Sequence, residues 1–300
     1  MKLVLAGRWS DDAEREAWAA ALRNACPRHE LLQERGAHAA SIEAAIVANP
    51  PPGSLQGLPK LRLIQSLWAG VDKLLADASL PAGVPIARMV DPAMTAAMAE
   101  TALWAVLALQ RGFFDYAAAQ RAGQWTPLPQ RRADETPVLL LGAGQMGGAV
   151  AARLEALGYP LTLWRRSAAA PLHAALAQAR IVVNLLPLTP QTRGLIDARF
   201  LAALPRGAAV VNLARGAHVV DDDLLAALDD GHIAHAVLDV FHTEPLPTQH
   251  RYWQHPRVTL LPHVAALTDP RSAAQVVAAT IDALAAGLPL AHLVDRQRGY

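Results

Sequence analysis

The chain alternates short aliphatic runs with longer segments whose apolar residues recur at helical spacing. Runs of strand length occupy Lys2–Ala6, Glu30–Gln33, Ala44–Ala48, Leu61–Leu67 and Pro85–Val90. An amphipathic helical segment, Asp11–Cys26, lies between the first two and stops near Pro27. Asp91-Pro92 then punctuates the chain, and a long apolar helix is expected from Ala93 to Arg111. A polar, proline-marked stretch follows, Arg121 to Pro137. After Val138 the rhythm resumes, with strands expected near 138–141, 161–164, 181–185, 208–213, 235–240 and 257–261. A last helix is expected over 270–286, ending at Gly287. Such alternation predicts open parallel α/β sheets, and 300 residues are more than one ordinary core needs. The last helix follows the final strand and should return the chain to the first domain. The expected arrangement is therefore one domain of residues 1–91 and 268–300, with a second, 92–267, inserted into it.

The most informative segment opens that second domain. Val138-Leu139-Leu140-Leu141 reads as a buried strand, and Gly142-Ala143-Gly144-Gln145-Met146-Gly147 after it is a G-x-G-x-x-G at the start of a helical pattern, Gln145 to Leu157. Gly142 suits a tight turn, Gly144 close approach of a pyrophosphate, and Gly147 close packing of helix on strand. The helix start adds free N–H groups and a positive dipole end. Outside a strand–turn–helix context the motif is weak; within it, followed by another strand at Leu161–Trp164, it predicts a dinucleotide site.

Composition narrows the partners. The net charge is +1 and no long basic run occurs, so neither nucleic acid nor an anionic membrane is expected. No eighteen consecutive apolar residues occur. The apolar run at the N-terminus is too short for a signal-peptide core. Cys26 is the single cysteine, which fits a reducing compartment, and a cytoplasmic location is the expectation. His232 and His235 stand three apart without a cysteine or acidic partner at ligand spacing, so no metal is expected.

Polar residues at the carboxyl ends of the later strands carry the chemistry. Arg215 follows Val210-Val211-Asn212-Leu213, Glu244 follows Val237-Leu238-Asp239-Val240, and His263 follows Val258-Thr259-Leu260-Leu261-Pro262. Ligands of doubly wound sheets bind beyond those ends, so the three can converge. Taken singly, each has a plainer reading: a surface arginine, a turn carboxylate before Pro245, a histidine capping a strand. Together they suit reduction of a 2-oxo acid. Hydride transfer to a ketone needs a proton donor at the developing alkoxide, which a histidine supplies near neutrality. A neighbouring carboxylate fixes the imidazole tautomer and favours the protonated ring. A substrate carboxylate next to the ketone calls for the planar fork of an arginine.

The segments Asn212-Leu-Ala-Arg215-Gly216, Asp239-Val-Phe-His-Thr-Glu244-Pro-Leu-Pro247 and Pro262-His263-Val-Ala265 resemble the signatures of the D-isomer-specific 2-hydroxyacid dehydrogenases. The resemblance extends to the glyoxylate/hydroxypyruvate reductase A branch. It is carried there by Ala69-Gly70-Val71-Asp72, Trp125-Thr-Pro-Leu-Pro129, Asn184-Leu-Leu-Pro187, Ala217-His218-Val-Val-Asp221 and Val294-Asp-Arg-Gln-Arg-Gly-Tyr300. It implies two Rossmann-like or flavodoxin-like domains, a homodimer built through the cofactor domain, and reduction of a small 2-oxo acid. His263 would be the acid/base, Glu244 its partner and Arg215 the substrate clamp, with backbone N–H groups of Ala69, Gly70 and Val71 on the substrate carboxylate. The cofactor would be lined by Gly142, Gly144, Gln145, Met146 and Gly147. Leu186, Pro187, Leu213, Ala214 and Ala265 would add to that lining. Asp239 would hydrogen-bond the nicotinamide end of the cofactor or its neighbouring backbone, with a plain strand-end aspartate as the alternative. Relatives place the start of the long helix against the substrate, which makes Met94 a candidate contact or a core residue, as with Met98. Trp68 departs from the small residue many relatives carry, and either walls the pocket or packs beside it. A tryptophan there would narrow the pocket or fill space left by the Ala48-Asn49-Pro50 loop, where relatives carry bulkier Trp-His.

The strand Leu161–Trp164 ends in Arg165-Arg166-Ser167, about 20 positions past the glycines, where an NAD-type fingerprint carries an acid for the ribose hydroxyls. An acid there would repel a 2′-phosphate, whereas guanidiniums and a hydroxyl pair with it. Trp164, Arg165, Arg166 and Ser167 are thus expected at the adenosine ribose, with NADPH preferred and NADH the weaker alternative. The alternative is a pair of solvated arginines in a surface loop. The leading expectation is NADPH-dependent reduction of glyoxylate or hydroxypyruvate. Its rivals are a reductase of a larger 2-oxo acid, such as phenylpyruvate or 2-ketogluconate, and a dinucleotide-sensing protein without turnover.

Overall fold

A computed structural model describes residues 1–165 and 171–300. In chain order the first elements are β1 (Lys2–Gly7), α1 (Asp12–Ala25), β2 (Glu30–Leu32), β3 (Ile42–Ala48), β4 (Leu63–Ser66), α2 (Asp72–Leu75) and β5 (Ile86–Ala87). Then come α3 (Pro92–Gln110), α4 (Phe113–Arg121), β6 (Val138–Leu141), α5 (Gln145–Ala156), β7 (Leu161–Trp164) and α6 (Leu172–Leu176). The chain closes with β8 (Ile181–Asn184), α7 (Ala198–Ala202), β9 (Ala208–Asn212), α8 (Asp221–Asp229), β10 (Ile233–Leu238), β11 (Val258–Leu260) and α9 (Pro270–Ala285).

The chain forms two compact units, Met1–Met94 with Thr268–Tyr300, and Thr95–Leu267. The first boundary falls inside the first turn of α3, a few residues past the Asp91-Pro92 punctuation. Each unit is a doubly wound α/β domain on a parallel sheet, the second inserted into the first.

In the first unit the strand order is β2-β1-β3-β4-β5. Ile42, Ala44, Ile46, Leu63 and Ile64 are wholly buried, as strands covered on both faces require. Asp11 caps α1 by accepting from the Glu14 N–H at 2.7 Å, and Trp18, Ala19 and Leu22 form its buried stripe. The C-terminal α9 starts at Pro270 behind the cap Asp269, packs beside α1, and buries Ala273, Val277 and Ile281. Arg28 and His29 both reach its Asp282, at 2.8 and 3.2 Å.

In the second unit the order is β11-β10-β9-β8-β6-β7, so the direction of winding reverses between β6 and β8. Val138–Leu141, Ile181–Asn184 and Ala208–Asn212 are buried throughout. On one face they pack with Ala99, Ala102, Ala105 and Val106 of α3 and Val150 and Leu154 of α5. By length and composition α3 is apolar enough to cross a membrane; in this unit those residues are instead the helix side of a packed core.

Some elements differ from the sequence reading. Helix α4 was not foreseen: none of its residues is buried, so no apolar stripe marks it, and Gly112 in a left-handed conformation (φ 68°) separates it from α3. Strand β5 shrinks to two residues, and β10 begins earlier, at Ile233, because His235 is an interior strand position despite its polarity.

Candidate active site

Parallel pairing sets the site in the second unit. Trp164, Leu141, Asn184, Asn212, Leu238 and Leu260 share one cross-strand row at the carboxyl ends of β7, β6, β8, β9, β10 and β11. The next residues on each strand open the loops that carry the candidate side chains.

The β6 loop shows why two of its glycines are needed and what the third leaves open. Gly142 has φ 111°, and a Cβ there would sit 2.8 Å from the Leu185 carbonyl oxygen of the β8 loop. A Cβ on Gly147 would lie 1.8 Å from the Gly142 oxygen, so the first turn of α5 rests directly on the turn before it. Gly144 has open space around its missing Cβ, and with Gln145 it is exposed at the helix start, while Met146 is half-buried. A backbone cradle open on one side, at a helix start and at the winding reversal, fits a pyrophosphate. At the end of β7, Trp164 is half-buried and Arg165 exposed, with no acidic residue at the strand end. Arg166 and Ser167 lie outside the described residues.

The acid/base pair forms between the β10 and β11 loops. His263 Nδ1 lies 2.8 Å from Glu244 Oε2, and the Phe241 N–H donates to Glu244 Oε1 at 3.0 Å. Both carboxylate oxygens are thus held, and Nε2 is the ring nitrogen that Glu244 does not engage. His263 stands at φ 58°, a sparsely populated conformation that needs outside support. Asp239 supplies it. Its carbonyl accepts from the His263 N–H at 2.9 Å, and its carboxylate accepts from Val264 and Ala265 N–H at 2.7 and 3.1 Å. Burial pushes the Asp239 carboxyl above the usual range, opposed by those two N–H donors.

These bonds also fix where two further candidates sit. Asp239 is 1% exposed, and its carboxylate serves the backbone of the His263 loop. Ala265 is a core residue: its N–H goes to Asp239, its carbonyl accepts from Thr101 Oγ1 at 2.9 Å, and its methyl is buried.

Arg215 follows β9, half-buried, its Nη1 donating to the Ala214 carbonyl at 2.7 Å. Gly216 lets this loop press on the next, since a Cβ there would meet the Phe241 carbonyl carbon at 2.0 Å. Arg215 and Glu244 therefore stand on loops in backbone contact. Leu186, Leu213 and Ala214 are buried and Pro187 is half-buried, which leaves mainly backbone for any ligand at the first three. Sequence reasoning named Asn184, Asn212 and His218 only within motifs and did not foresee that they meet in one buried hydrogen-bonded cluster. The available signal was a polar amide ending each of two aliphatic strands.

In the first unit, Trp68, Ala69, Gly70 and Val71 form the turn between β4 and α2. The Trp68 N–H donates to Ser66 Oγ at 3.0 Å, Met89 N–H donates to the Trp68 carbonyl, and the indole meets the buried Trp18 edge-on at 6.0 Å. One edge of Trp68 is therefore packing. Val71 and Met94 are buried, while Ala69 and Gly70 are half-buried.

Residues 103–265 match the family model of the D-isomer specific 2-hydroxyacid dehydrogenase, NAD binding domain. The whole chain superposes on solved structures. A D-isomer specific 2-hydroxyacid dehydrogenase from Xanthobacter autotrophicus Py2, in complex with NADPH and MES, is 38% identical, with TM-score 0.92 over 100% of this chain and 99% of that one. An NADPH-dependent glyoxylate/hydroxypyruvate reductase from Sinorhizobium meliloti, in complex with NADP and sulfate, is 33% identical, with the same score and coverage. A probable 2-hydroxyacid dehydrogenase from Rhizobium etli CFN 42, with NADP, HEPES and L(+)-tartaric acid, is 29% identical, again at 0.92 over 100% and 99%. With a dinucleotide-type glycine loop, a histidine–glutamate pair and an arginine on three neighbouring strand ends, and this match along its length, the chain belongs to the D-isomer specific 2-hydroxyacid dehydrogenases.

Proposed function

We propose that the protein reduces glyoxylate or hydroxypyruvate to the corresponding 2-hydroxy acid with NADPH. The observation that carries this reading is the 2.8 Å His263–Glu244 pair beside the Arg215 loop. The Sinorhizobium meliloti reductase, 33% identical over the whole chain, supports the choice of acid. NADPH held by the glycine loop after β6 would supply the hydride that reduces the carbonyl carbon. His263, held through Nδ1 by Glu244, donates a proton from Nε2 to the carbonyl oxygen. Glu244 stabilises the imidazolium before transfer and fixes the tautomer after it. Arg215 forks onto the carboxylate and orients the carbonyl. The exposed Arg165 at the end of β7, with no acid beside it, favours the 2′-phosphate of NADPH. The protein acts as a homodimer associating through its second unit, where Trp104, Phe113 and Trp125 are exposed, Trp125 at 98%.

The test is steady-state reduction of glyoxylate, hydroxypyruvate and phenylpyruvate with each cofactor, by wild type and His263→Ala. The variant should lose roughly 10²–10⁴-fold in kcat with NADPH affinity retained. Near-wild-type turnover would refute the proton-donor role, and a preference for phenylpyruvate would redirect the substrate reading to larger acids.

A further inference from the structure

Beneath the exposed site lies a buried polar network with no direct part in hydride or proton transfer. Parallel register sets Asn184, the last residue of β8, beside Asn212, the last of β9. Both are 0% exposed, as is His218. Amides at the ends of otherwise aliphatic strands are costly unless their polar atoms are paired. Here the pairing is specific. Asn184 Nδ2 donates to Asn212 Oδ1 and to His218 Nδ1, each at 3.0 Å. His218 Nδ1 is then an acceptor, so the ring carries its hydrogen on Nε2, which faces the Pro187 carbonyl at 3.3 Å. Asn184 Oδ1 accepts from the Leu186 N–H and Asn212 Oδ1 from the Ala214 N–H, both at 3.2 Å. Asn212 Nδ2 donates to the Arg215 carbonyl at 2.9 Å.

All these outward bonds end on the backbone of two loops. Leu186 and Pro187 belong to the β8 loop, which touches the dinucleotide glycine turn at Gly142. Ala214 and Arg215 belong to the β9 loop. Aliphatic side chains would fill the same space without fixing either backbone, whereas buried hydrogen bonds define it and reinforce one another. We propose that Asn184, Asn212 and His218 are positioning residues that join the dinucleotide loop to the Arg215 loop, so that the cofactor-side backbone sets the arginine's placement. The proposal rests on the reading of Arg215 as the carboxylate clamp.

The experiment compares His218→Ala and His218→Gln, each alone and combined with Arg215→Lys. Readouts are KM and kcat for glyoxylate, NADPH affinity by nucleotide fluorescence, and Tm. His218→Ala should raise KM for glyoxylate roughly 5–30-fold, the effect of losing a buried hydrogen bond, and should weaken NADPH binding. His218→Gln, whose amide offers an acceptor and a donor, should recover most of both losses. Combined with Arg215→Lys, His218→Ala should add little to KM, because it acts through the arginine. An unchanged KM in folded His218→Ala, equal losses for Ala and Gln, or full additivity with Arg215→Lys would overturn the proposal. If His218→Ala fails to fold, Asn212→Ser, which removes the bond to the Arg215 carbonyl, is read by the same non-additivity. A wild-type KM in Arg215→Lys alone would instead refute the clamp, and this proposal with it; a large loss there with an inert network refutes the network only.

Discussion

Gly216→Ala tests whether backbone contact between two loops sets the active-site geometry. A methyl at this position would lie 2.0 Å from the Phe241 carbonyl carbon and 2.4 Å from its Cα and oxygen. Every one of these is main chain, so no rotamer change relieves the overlap. Ordinary contact begins near 3.4 Å, and the β9 and β10 loops must therefore part by about 1.4 Å. Arg215 sits immediately before the clash on one loop, and the Phe241 N–H holds Glu244 on the other. Displacements of ~1 Å in a catalytic constellation cost on the order of 10²-fold in rate, equivalent to about 2.7 kcal/mol of transition-state stabilisation. Gly216→Ala should accordingly lower kcat/KM for glyoxylate roughly 10²-fold, followed by loss of reduced-nicotinamide absorbance. The overpacking should also lower stability by about 1–3 kcal/mol, read from a denaturant midpoint. The clash falls on the β10 loop and reaches the glycine turn after β6 only through the Asn184–Asn212–His218 network, so NADPH affinity should fall less than kcat/KM. A folded variant within about threefold of wild-type kcat/KM would refute the claim that this approach fixes Arg215 against Glu244.

Adjacent glycines on α5 should respond oppositely. Gly147→Ala forces a Cβ onto the Gly142 oxygen and should abolish NADPH binding or folding, whereas Gly148→Ala, with nothing within 4 Å, should stabilise by roughly 0.5–1 kcal/mol in a melting experiment; equal behaviour would remove the close-packing argument. Arg165→Asp should move the kcat/KM preference from NADPH towards NADH, and an unchanged ratio would take Arg165 off the 2′-phosphate. His235 is buried, stacked on Phe114 and bonded to Thr259, and burial, aided by His255 and Arg257, lowers its pKa from 6.5 to about 4. The unfolded chain binds a proton at this residue that the folded chain refuses. The associated stability is thus present above pH 6.5 and is lost as pH falls towards 4, by about 2 kcal/mol between pH 7 and pH 5. Urea midpoints at the two pH values should show this loss in wild type and not in His235→Leu; identical slopes would refute it.

The sequence by itself determined the elements that local rules specify. Aliphatic runs such as Val138–Leu141 and Ile181–Asn184 have no exposed face to encode, so their composition alone marks strands buried on both sides. Gly142 and Gly147 of the β6 loop are required by contacts within the loop and with its neighbour, and their spacing is therefore legible. His263, Glu244 and Arg215 could be singled out because a parallel sheet brings its strand ends together whatever the distance along the chain. Helix α4 was not legible, since without a buried stripe nothing periodic records it. Nor was the hydrogen bond that ties Asp239 to Ala265. Which partner a buried carboxylate takes depends on where the β11 loop passes, and only tertiary structure brings Val264 and Ala265 N–H groups to it. The network of Asn184, Asn212 and His218 is hidden for the same reason. Each residue alone reads as a polar exception in an apolar segment, and register across β8 and β9 is what turns three exceptions into one set of satisfied hydrogen bonds.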